Sequence, residues 1–291
     1  MKNNRFVFFV LAPIFLELLV FLAFPIIGGF GISLFDYNPL RKDNHFVGLD
    51  NFGKLLGDRV FLTSLANTLV FVLVTVLLNI CLTLLLAQFI SGLRSGKARG
   101  FFRVVFFMPC VAPLIASSVV WKGMYATKYG LLNNLLVRFL GGSPQNWLGD
   151  PALVMLSVIV FTLWADIGYN VLLFSAGMDG IPKDFYEAAE IDGVNAISKF
   201  FHITLPLLGR TISFVVAMTI LSHFQMFAQF QVLAPKGGPE NSGNVLTYYI
   251  YKSAFQIKDM GYASAIAVVL FIIIMVVTLI QQRLNRVDWG Y

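Results

Sequence analysis

Six long apolar runs dominate the pattern of hydrophobic and polar positions along this chain. Crossing roughly 30 Å of hydrocarbon takes about 20 helical residues, and apolar runs of about that length lie at residues 7–33, 65–90, 104–125, 152–176, 207–231 and 263–282. Because lipid offers the backbone no hydrogen-bond partners, each run is predicted to be a helix. The pattern therefore predicts an all-α polytopic integral membrane protein with six transmembrane helices.

The composition agrees with a protein that lives in a bilayer. The chain is 58% hydrophobic and only 12% charged over 291 residues, and its mean hydropathy is +0.78. The basic residues behind the net charge of +6 are scattered between apolar runs instead of forming one face, which argues against a nucleic-acid partner. Cys81 and Cys110 both fall inside apolar runs, so the sequence predicts neither a disulfide framework nor a metal site.

The orientation of the spans follows from Lys and Arg near their ends. The link 91–103 carries four basic residues and no acidic one, and more basic residues flank the outermost spans. These cations are Arg94, Lys97, Arg99 and Arg103 in the link, and Lys2, Arg5, Arg283 and Arg286 near the ends. Both termini and the segment 177–206 are therefore predicted to be cytoplasmic. The segments 34–64, 126–151 and 232–262 are predicted to face outward, either as surfaces for an external partner or as simple connectors.

The chain is predicted to divide after its first outer loop. Residues 1–64 would form the first transmembrane helix with that loop, and residues 65–291 a five-helix permease core. The first run has no small-x-small cleavage site before Asp36, so we interpret it as a retained helix and not as a signal peptide.

The segment 177–206 is predicted to form a helix, a glycine joint and a second helix. Pro182 suits a first helical turn, and Asp184 and Glu187 favour its positive end. Gly193 can supply the left-handed residue that ends this helix. Asn195 is a candidate cap for the second helix, which would run to Thr204 before the next proline, Pro206, turns the chain back.

One face of this segment is suited to docking. Phe185, Ala188 and Ala189 form an apolar patch at helical spacing, and the two alanines allow close backbone approach. Glu187 offers a carboxylate to an arginine of a partner. An amphipathic loop lying on the membrane surface explains the same residues equally well.

The spacing from Glu187-Ala188-Ala189 through Gly193 to Ile203, Leu205 and Pro206 resembles the signature loop of the membrane subunits of ATP-binding-cassette (ABC) importers. That resemblance implies the type I importer permease fold and a loop that docks on a separate ATPase. The residues implied to couple the two subunits are Glu187, Ala188, Ala189, Asp192, Gly193 and Pro206.

Further motifs resemble the carbohydrate-uptake branch of that family, of the maltose and glycerol-3-phosphate type. They are Phe46-Val47-Gly48-Leu49-Asp50-Asn51-Phe52, Asn67-Thr68, Phe101-Phe102-Arg103 with Phe107-Met108-Pro109, Trp121-Lys122 and Gly261-Tyr262-Ala263-Ser264-Ala265. The resemblance implies a permease that moves a sugar or oligosaccharide across a bacterial or archaeal cytoplasmic membrane. The implied partners are a second homologous permease, two ATPase subunits, an extracytoplasmic solute-binding protein and membrane lipid.

Ionisable residues inside membrane spans are costly and are therefore functional candidates. Three qualify, namely Glu17, Asp166 and His223. Asp166 shares one helix face with Thr162 and Tyr169, since these lie four residues before and three after it. Glu17 matches no motif, and it is explained equally by a polar contact with the partner subunit.

A second polar stripe runs along the fifth span, and it comprises Thr219, Ser222, His223 and Met226. The family resemblance brings both stripes onto positions near the sugar in maltose-type permeases, together with Cys110 and Leu114 on the third span. Cys and Leu stand there in place of polar groups, which departs from the maltose pattern. The alternative is that the hydroxyls hold helices together and that Asp166 and His223 form an interhelical pair.

Nothing in the sequence predicts an enzyme. The stretch Gly48–Leu55 imitates a phosphate-binding loop but has Leu55 where a Mg²⁺-binding Ser or Thr is needed. No cofactor is therefore expected in this chain, and ATP and Mg would be bound by the partner ATPase. Rival interpretations are a permease for glycerol-3-phosphate or another polar solute, an ion-coupled secondary transporter and an integral membrane enzyme. The last two lack their usual internal repeats or catalytic clusters.

Overall fold

The computed structural model describes residues 4–284, and it is helical apart from one short hairpin. Lys2 and Arg286, which entered the predicted orientation, lie outside the described residues, and so does the side chain of Arg5. The orientation itself stays a prediction.

Four helices are long and apolar enough to cross a membrane, at Phe8–Ile32, Arg59–Ser91, Val154–Asp179 and Met260–Arg283. Two bent helix pairs pass the same criteria when each pair is taken together, which brings the number of spans to six. The full helices run in chain order as α1 (Asn4–Leu18), α2 (Phe24–Ile32), α3 (Asp50–Gly57), α4 (Arg59–Ser91), α5 (Gly96–Val111), α6 (Leu114–Met124), α7 (Leu131–Leu140), α8 (Val154–Asp179), α9 (Asp184–Ile191), α10 (Ala196–Lys199), α11 (Leu205–Leu207), α12 (Gly209–Phe224), α13 (Ala228–Leu233), α14 (Leu246–Tyr251) and α15 (Met260–Leu284).

Shorter elements join these helices. A π-helical turn, Leu19–Ala23, links α1 to α2, and two more lie at Phe200–Thr204 and Lys252–Ile257. Two 3₁₀ turns lie at Pro235–Gly237 and Pro239–Asn241. The hairpin pairs β1 (Phe35–Asp36) with β2 (His45–Phe46) in antiparallel register.

The third span is not the straight helix that its apolar run predicted. It begins at Gly96 instead of residue 104, so three cations assigned to a link, Lys97, Arg99 and Arg103, lie in the helix. The chain then bends by 94° between α5 and α6. Pro113 explains the bend, because a residue before proline avoids the helical region, and Ala112 is extended at φ −72°, ψ 138°.

The fifth span also differs from its predicted bounds of 207–231. Helix α12 begins after a 72° break at Leu208 and ends at Phe224, and α13 starts anew at Ala228. Pro206 does not end the preceding helix, since the helical backbone continues through Leu207. Its ring occupies an early position of α11, where the missing N–H costs little.

The chain divides into two compact units. Among the described residues, one contains 4–62 together with Leu246–Ile273, and the other contains Thr63–Val245 and 274–284. The predicted division after residue 64 stays a prediction.

Backbone contacts organise the first unit around the hairpin. The Asn51 side-chain amide donates to the carbonyls of Ser33 and Phe35 at 2.9 Å each. The N–H of Met260 donates to the carbonyl of Tyr37 at 2.9 Å. A Cβ on Gly261 would collide with the carbonyl of Phe35, so this close approach requires glycine.

The second unit is held together by helix α8, whose central residues are buried. A Cβ on Gly168 would collide with the carbonyl of Phe106 in α5, and one on Gly177 would meet Thr211 of α12 at 2.8 Å. Two glycines thus let α8 approach a different neighbour along each part of its length. This packing places the polar residues of α8 beside α5 and α12.

Candidate functional site

A cavity of about 480 Å³ lies among α5, α6, α8 and α12. Seven of the nine predicted substrate residues line it, and they are Cys110, Leu114, Asp166, Tyr169, Thr219, Ser222 and His223. The other two do not line it. Thr162 is buried in the packed interior, and Met226 follows the end of α12, where helical spacing no longer continues the polar stripe.

The bend in the third span builds one wall of this cavity. Pro109, Cys110, Ala112 and Leu114 stand on both sides of the bend and all line the cavity. The Cys110 thiol donates to the carbonyl of Ala165 at 3.0 Å, which fixes α5 against α8. The residue that looked out of place in the maltose pattern therefore has a partner within this chain.

A chain of three polar side chains crosses from α8 to α12 and α4. Asp166 Oδ2 lies 3.3 Å from His223 Nε2, and His223 Nδ1 lies 3.0 Å from Thr75 Oγ1. The His223 side chain is 1% exposed and that of Asp166 is 34% exposed. Asp166 thus reaches the cavity while the imidazole that holds it is buried.

The hydrogen bonds of Thr75 decide which atom donates in its contact with His223. Its single hydroxyl hydrogen is donated to the Phe71 carbonyl at 2.6 Å, so its oxygen accepts from His223 Nδ1. His223 is thereby held at Nδ1 by Thr75, and its Nε2 is directed at Asp166.

Asn170 is a cavity residue that the sequence analysis missed. Its side-chain amide donates to Asn79 Oδ1 at 2.6 Å and to Thr219 Oγ1 at 3.0 Å. Thr219 in turn donates to the carbonyl of Val215 at 2.7 Å. Asn170 lies four residues after Asp166, so extending the α8 stripe by one turn would have found it.

The second span carries a buried polar stripe that was also missed. Thr68, Thr75, Asn79 and Thr83 are all at most 2% exposed and recur at spacings of seven and four residues. Each of the three threonines donates to the carbonyl four residues before it. Only Thr75 and Asn79 reach the groups around the cavity, and no spacing rule separates them from the other two.

The cavity is suited to binding a polar solute without a formal charge. It offers carboxylate, hydroxyl and amide groups together with the ring of Tyr169, which is 50% exposed. No Lys or Arg within the described part of the chain lines it. Among residues 4–284, no group of three or more His, Cys, Asp or Glu side chains is placed to hold a metal ion.

The loop between the fourth and fifth spans forms the predicted helix, glycine joint and helix. Helix α9 spans Asp184–Ile191, with Pro182 just before it and not in its first turn. Gly193 has φ +70°, as the predicted joint requires. The Asn195 side chain caps α10 by accepting from the Ser198 N–H at 2.8 Å, as predicted.

The loop is anchored to the core on one side and open on the other. Ala189 is buried, and Tyr186 Oη lies 3.0 Å from Thr204 Oγ1. Four large apolar side chains point outward, namely Phe185 (50% exposed), Ile191 (87%), Ile197 (73%) and Phe201 (56%). The other five predicted coupling residues, Glu187, Ala188, Asp192, Gly193 and Pro206, are exposed as well.

The loop is also continuous with the helices that carry the cavity. Ile181 and Met178, at the end of α8, pack in one buried cluster with Leu208 and Val215 of the fifth span. A displacement of the loop would therefore move α8 and α12 with it. Broken spans around a polar cavity, joined to an exposed helical loop, define the class: a multi-pass membrane transport subunit.

The chain belongs to the family of binding-protein-dependent transport system inner membrane components, whose model matches residues 79–287. It is similar to the arabinooligosaccharides transport system permease protein AraP of Bacillus subtilis, with 36% identity over 94% of this chain and 86% of that protein. It is also similar to the trehalose/maltose transport system permease protein MalF of Thermococcus litoralis, with 32% identity over 98% of this chain and 95% of that protein.

The fold has a solved counterpart in a bacterial alginate ABC transporter in complex with an alginate pentasaccharide-bound periplasmic protein. The TM-score is 0.88 with 21% sequence identity, and the match covers 98% of this chain and 95% of that one. The predicted all-α, multi-pass type I importer permease fold is confirmed, and so is the predicted ABC importer permease family.

Proposed function

We propose that this chain is the membrane-spanning, non-catalytic subunit of an ATP-driven importer whose cargo is a sugar or oligosaccharide. The observation that carries the proposal is the cavity among α5, α6, α8 and α12, which presents Asp166, Asn170 and Tyr169 together and has no Lys or Arg of the described residues in its lining. Sugar hydroxyls hydrogen-bond to carboxylate and amide groups, and a sugar's apolar face packs against an aromatic ring. Relatives named for arabinooligosaccharides, diacetylchitobiose and trehalose/maltose support the same cargo class.

The cavity favours a sugar over glycerol-3-phosphate. A phosphate group buried away from water needs cationic or multiple N–H donors. No Lys or Arg of the described part of the chain lines the cavity. Glycerol-3-phosphate would therefore lose its hydration without a compensating ion pair.

Energy would enter through the loop of α9 and α10. In this proposal Glu187 and Ala188 on α9, with Asp192, Gly193 and Pro206, dock in a cleft of a partner ATPase that binds ATP and Mg, while the buried Ala189 packs α9 against the core. Two ATPase subunits, a second homologous permease and an extracytoplasmic solute-binding protein complete the importer. Both termini and the loop face the cytoplasm, and ATP-driven closure of the ATPase pair rotates α8 and α12 around the cavity.

Uptake by the reconstituted complex tests the cargo. Proteoliposomes that hold this chain with its partners should accumulate at least one labelled mono- or oligosaccharide in an ATP-dependent manner. Unlabelled glycerol-3-phosphate should not compete with it. Uptake of glycerol-3-phosphate with no saccharide uptake would overturn the assignment.

Glu187→Lys tests the docking role. Truncating or reversing one partner of an interfacial ion pair costs about 2–5 kcal/mol, so uptake should fall about thirtyfold or more. Asp184→Lys is the matched control, because it makes the same charge change on the same exposed helix. Equal uptake by the two variants, with both complexes assembled, would remove Glu187 from the interface.

A further inference from the structure

A second cavity, of about 670 Å³, shares no residue with the first. It lies where the ends of α4 and α8 meet the start of α5 and the loop helices α9 and α10. Its lining includes Ser91 and Gly92 at the end of α4, Asp179 at the end of α8, Arg99 on α5, Lys183 just before α9 and Lys199 at the end of α10.

The charges lining this cavity do not cancel. Lys199 pairs with Glu190 at 2.9 Å, and Asp179 is neutralised by Arg103 at 2.7 Å from outside the cavity. Within the described part of the chain, neither Arg99 nor Lys183 forms an ion pair. Two positive charges therefore remain without a carboxylate.

Arg99 is held in place to receive a ligand. Its Nε–H donates to the carbonyl of Leu93 at 2.7 Å, which orients the guanidinium and leaves its two terminal NH₂ groups as donors. A guanidinium binds phosphate oxygens through two parallel hydrogen bonds. Lys183, which is exposed at the start of α9, supplies a second point charge across the cavity.

The cavity also lies at the ends of two membrane-length helices, which is where a span meets the lipid headgroups. Ser91 and Asp179 are the last residues of two membrane-length helices, so the cavity opens where two hydrophobic spans end. Beside it, Phe89 is 53% exposed and Phe101 is 64% exposed, and Phe102 packs between these two rings at 5.6 Å from each. An apolar strip for acyl chains thus adjoins a basic cavity for a headgroup.

We propose that this cavity binds a phosphate group, supplied by the headgroup of an anionic phospholipid, between Arg99 and Lys183. The bound phosphate would bridge the turn between α4 and α5 to the start of α9. It would thereby hold the loop against the membrane helices. A free phosphate ion or a phosphorylated solute carries the same chemistry, but it makes no use of the aromatic strip.

The test measures lipid binding to the assembled complex in nanodiscs of phosphatidylcholine, with and without phosphatidylglycerol, by native mass spectrometry. A charge-assisted hydrogen bond to a bound phosphate is worth about tenfold in affinity, so the double variant Arg99→Gln/Lys183→Gln should bind phosphatidylglycerol about a hundredfold more weakly. The matched control is Arg94→Gln/Lys97→Gln, which removes the same charge from exposed positions of the same turn that do not line the cavity. The control should stay within about twofold of wild type.

Lys183→Gln alone, at an exposed position, leaves the Arg99–Leu93 hydrogen bond intact and should weaken binding about tenfold, the worth of one charge-assisted hydrogen bond. Equal losses in the two double variants would reduce the effect to general surface charge and overturn the proposal. Displacement of phosphatidylglycerol by millimolar inorganic phosphate would overturn the lipid as its source. The readout requires no uptake, so it is independent of the proposed cargo and of the coupling role.

Discussion

Two aspartates of this protein, Asp58 and Asp166, differ in how many hydrogen bonds they accept from their own chain. Asp58 precedes α4 and accepts from Tyr249 Oη and Tyr262 Oη at 2.5 Å each, and from the N–H of Val60 at 2.8 Å. Asp166, in the middle of α8, has one side-chain partner, His223, at 3.3 Å. One carboxylate is saturated by donors of its own chain, and the other keeps acceptor capacity toward a cavity.

This difference separates a structural carboxylate from a functional one. A buried acceptor that is fully satisfied has nothing left to offer a ligand, and its removal leaves donors unpaired. A partly exposed acceptor with a single partner can exchange water for a ligand at little structural cost. Burial alone would not distinguish them, whereas the count of donors does.

The largest effect is expected from Asp58→Ala. The change removes the cap of α4 and leaves two tyrosine hydroxyls without their acceptor, so the free energy of unfolding should fall by about 3 kcal/mol. Thermal melting of the complex in detergent measures it. Asp58→Asn keeps one acceptor oxygen and should cost less than half as much; equal losses would mean that the hydrogen bonds do not act as described.

Asp166→Asn should affect sugar uptake more than it affects stability. We expect a change of less than about 1 kcal/mol in stability, because one long contact is lost. The KM for sugar uptake should rise about tenfold, which is the loss of one charge-assisted hydrogen bond to the substrate. Basal ATPase activity should be unchanged. The control Asp179→Asn makes the same change on α8 outside the first cavity, and a similar KM in both variants would contradict the role of Asp166.

Thr75→Val removes the hydroxyl group that contacts His223 Nδ1. Valine has the shape of threonine but leaves His223 Nδ1 without its hydrogen-bond partner, so the imidazole that contacts Asp166 is no longer held in place. The KM for uptake should rise about fivefold, as expected for one hydrogen bond of about 1 kcal/mol. Thr75→Ser restores the hydroxyl and should return the KM to near wild type. If Thr75 served only to fill space, the KM would be similar in the two variants, or higher in Thr75→Ser than in Thr75→Val.

The smallest effect is the pH dependence of the Asp58 contribution. Burial raises the pKa of this carboxyl, but hydrogen bonds from Tyr249, Tyr262 and the N–H groups of Phe61 and Val60 outweigh it, so the pKa lies below its ordinary value of 3.8. A lowered folded-state pKa gives stability that is present above the ordinary value and is lost as pH falls through the folded value.

The measurement is the difference in melting temperature between wild type and Asp58→Asn. It should be constant from neutral pH to about pH 5 and shrink at lower pH. A difference that grows as the pH falls would contradict the sign of the shift.

The sequence predicted the site better than it predicted the spans that carry it. Seven of the nine predicted residues line the cavity because i, i+3 and i+4 spacing on α8 and α12 survives in the structure. Met226 does not, since α12 ends at Phe224 before that spacing reaches it. The bend at Pro113 was foreseeable from proline chemistry, and the break at Leu208 comes two residues after Pro206, where the sequence predicted that the chain turns back.

Four features follow from the sequence alone. They are the long apolar runs, the glycine joint at Gly193, the Asn195 cap and the spacing of the signature loop. These features depend on backbone chemistry and on helical periodicity, both of which are set by residues close together in the sequence. Helix packing decided that Thr75 contacts His223, which lies 148 residues away in the sequence, and that Asn170 donates to Asn79. It also decided that Arg99 and Lys183 would share one cavity. Such pairings depend on which helix faces come together, and in this chain that choice rests on glycines and bends whose effect appears only when the helices pack.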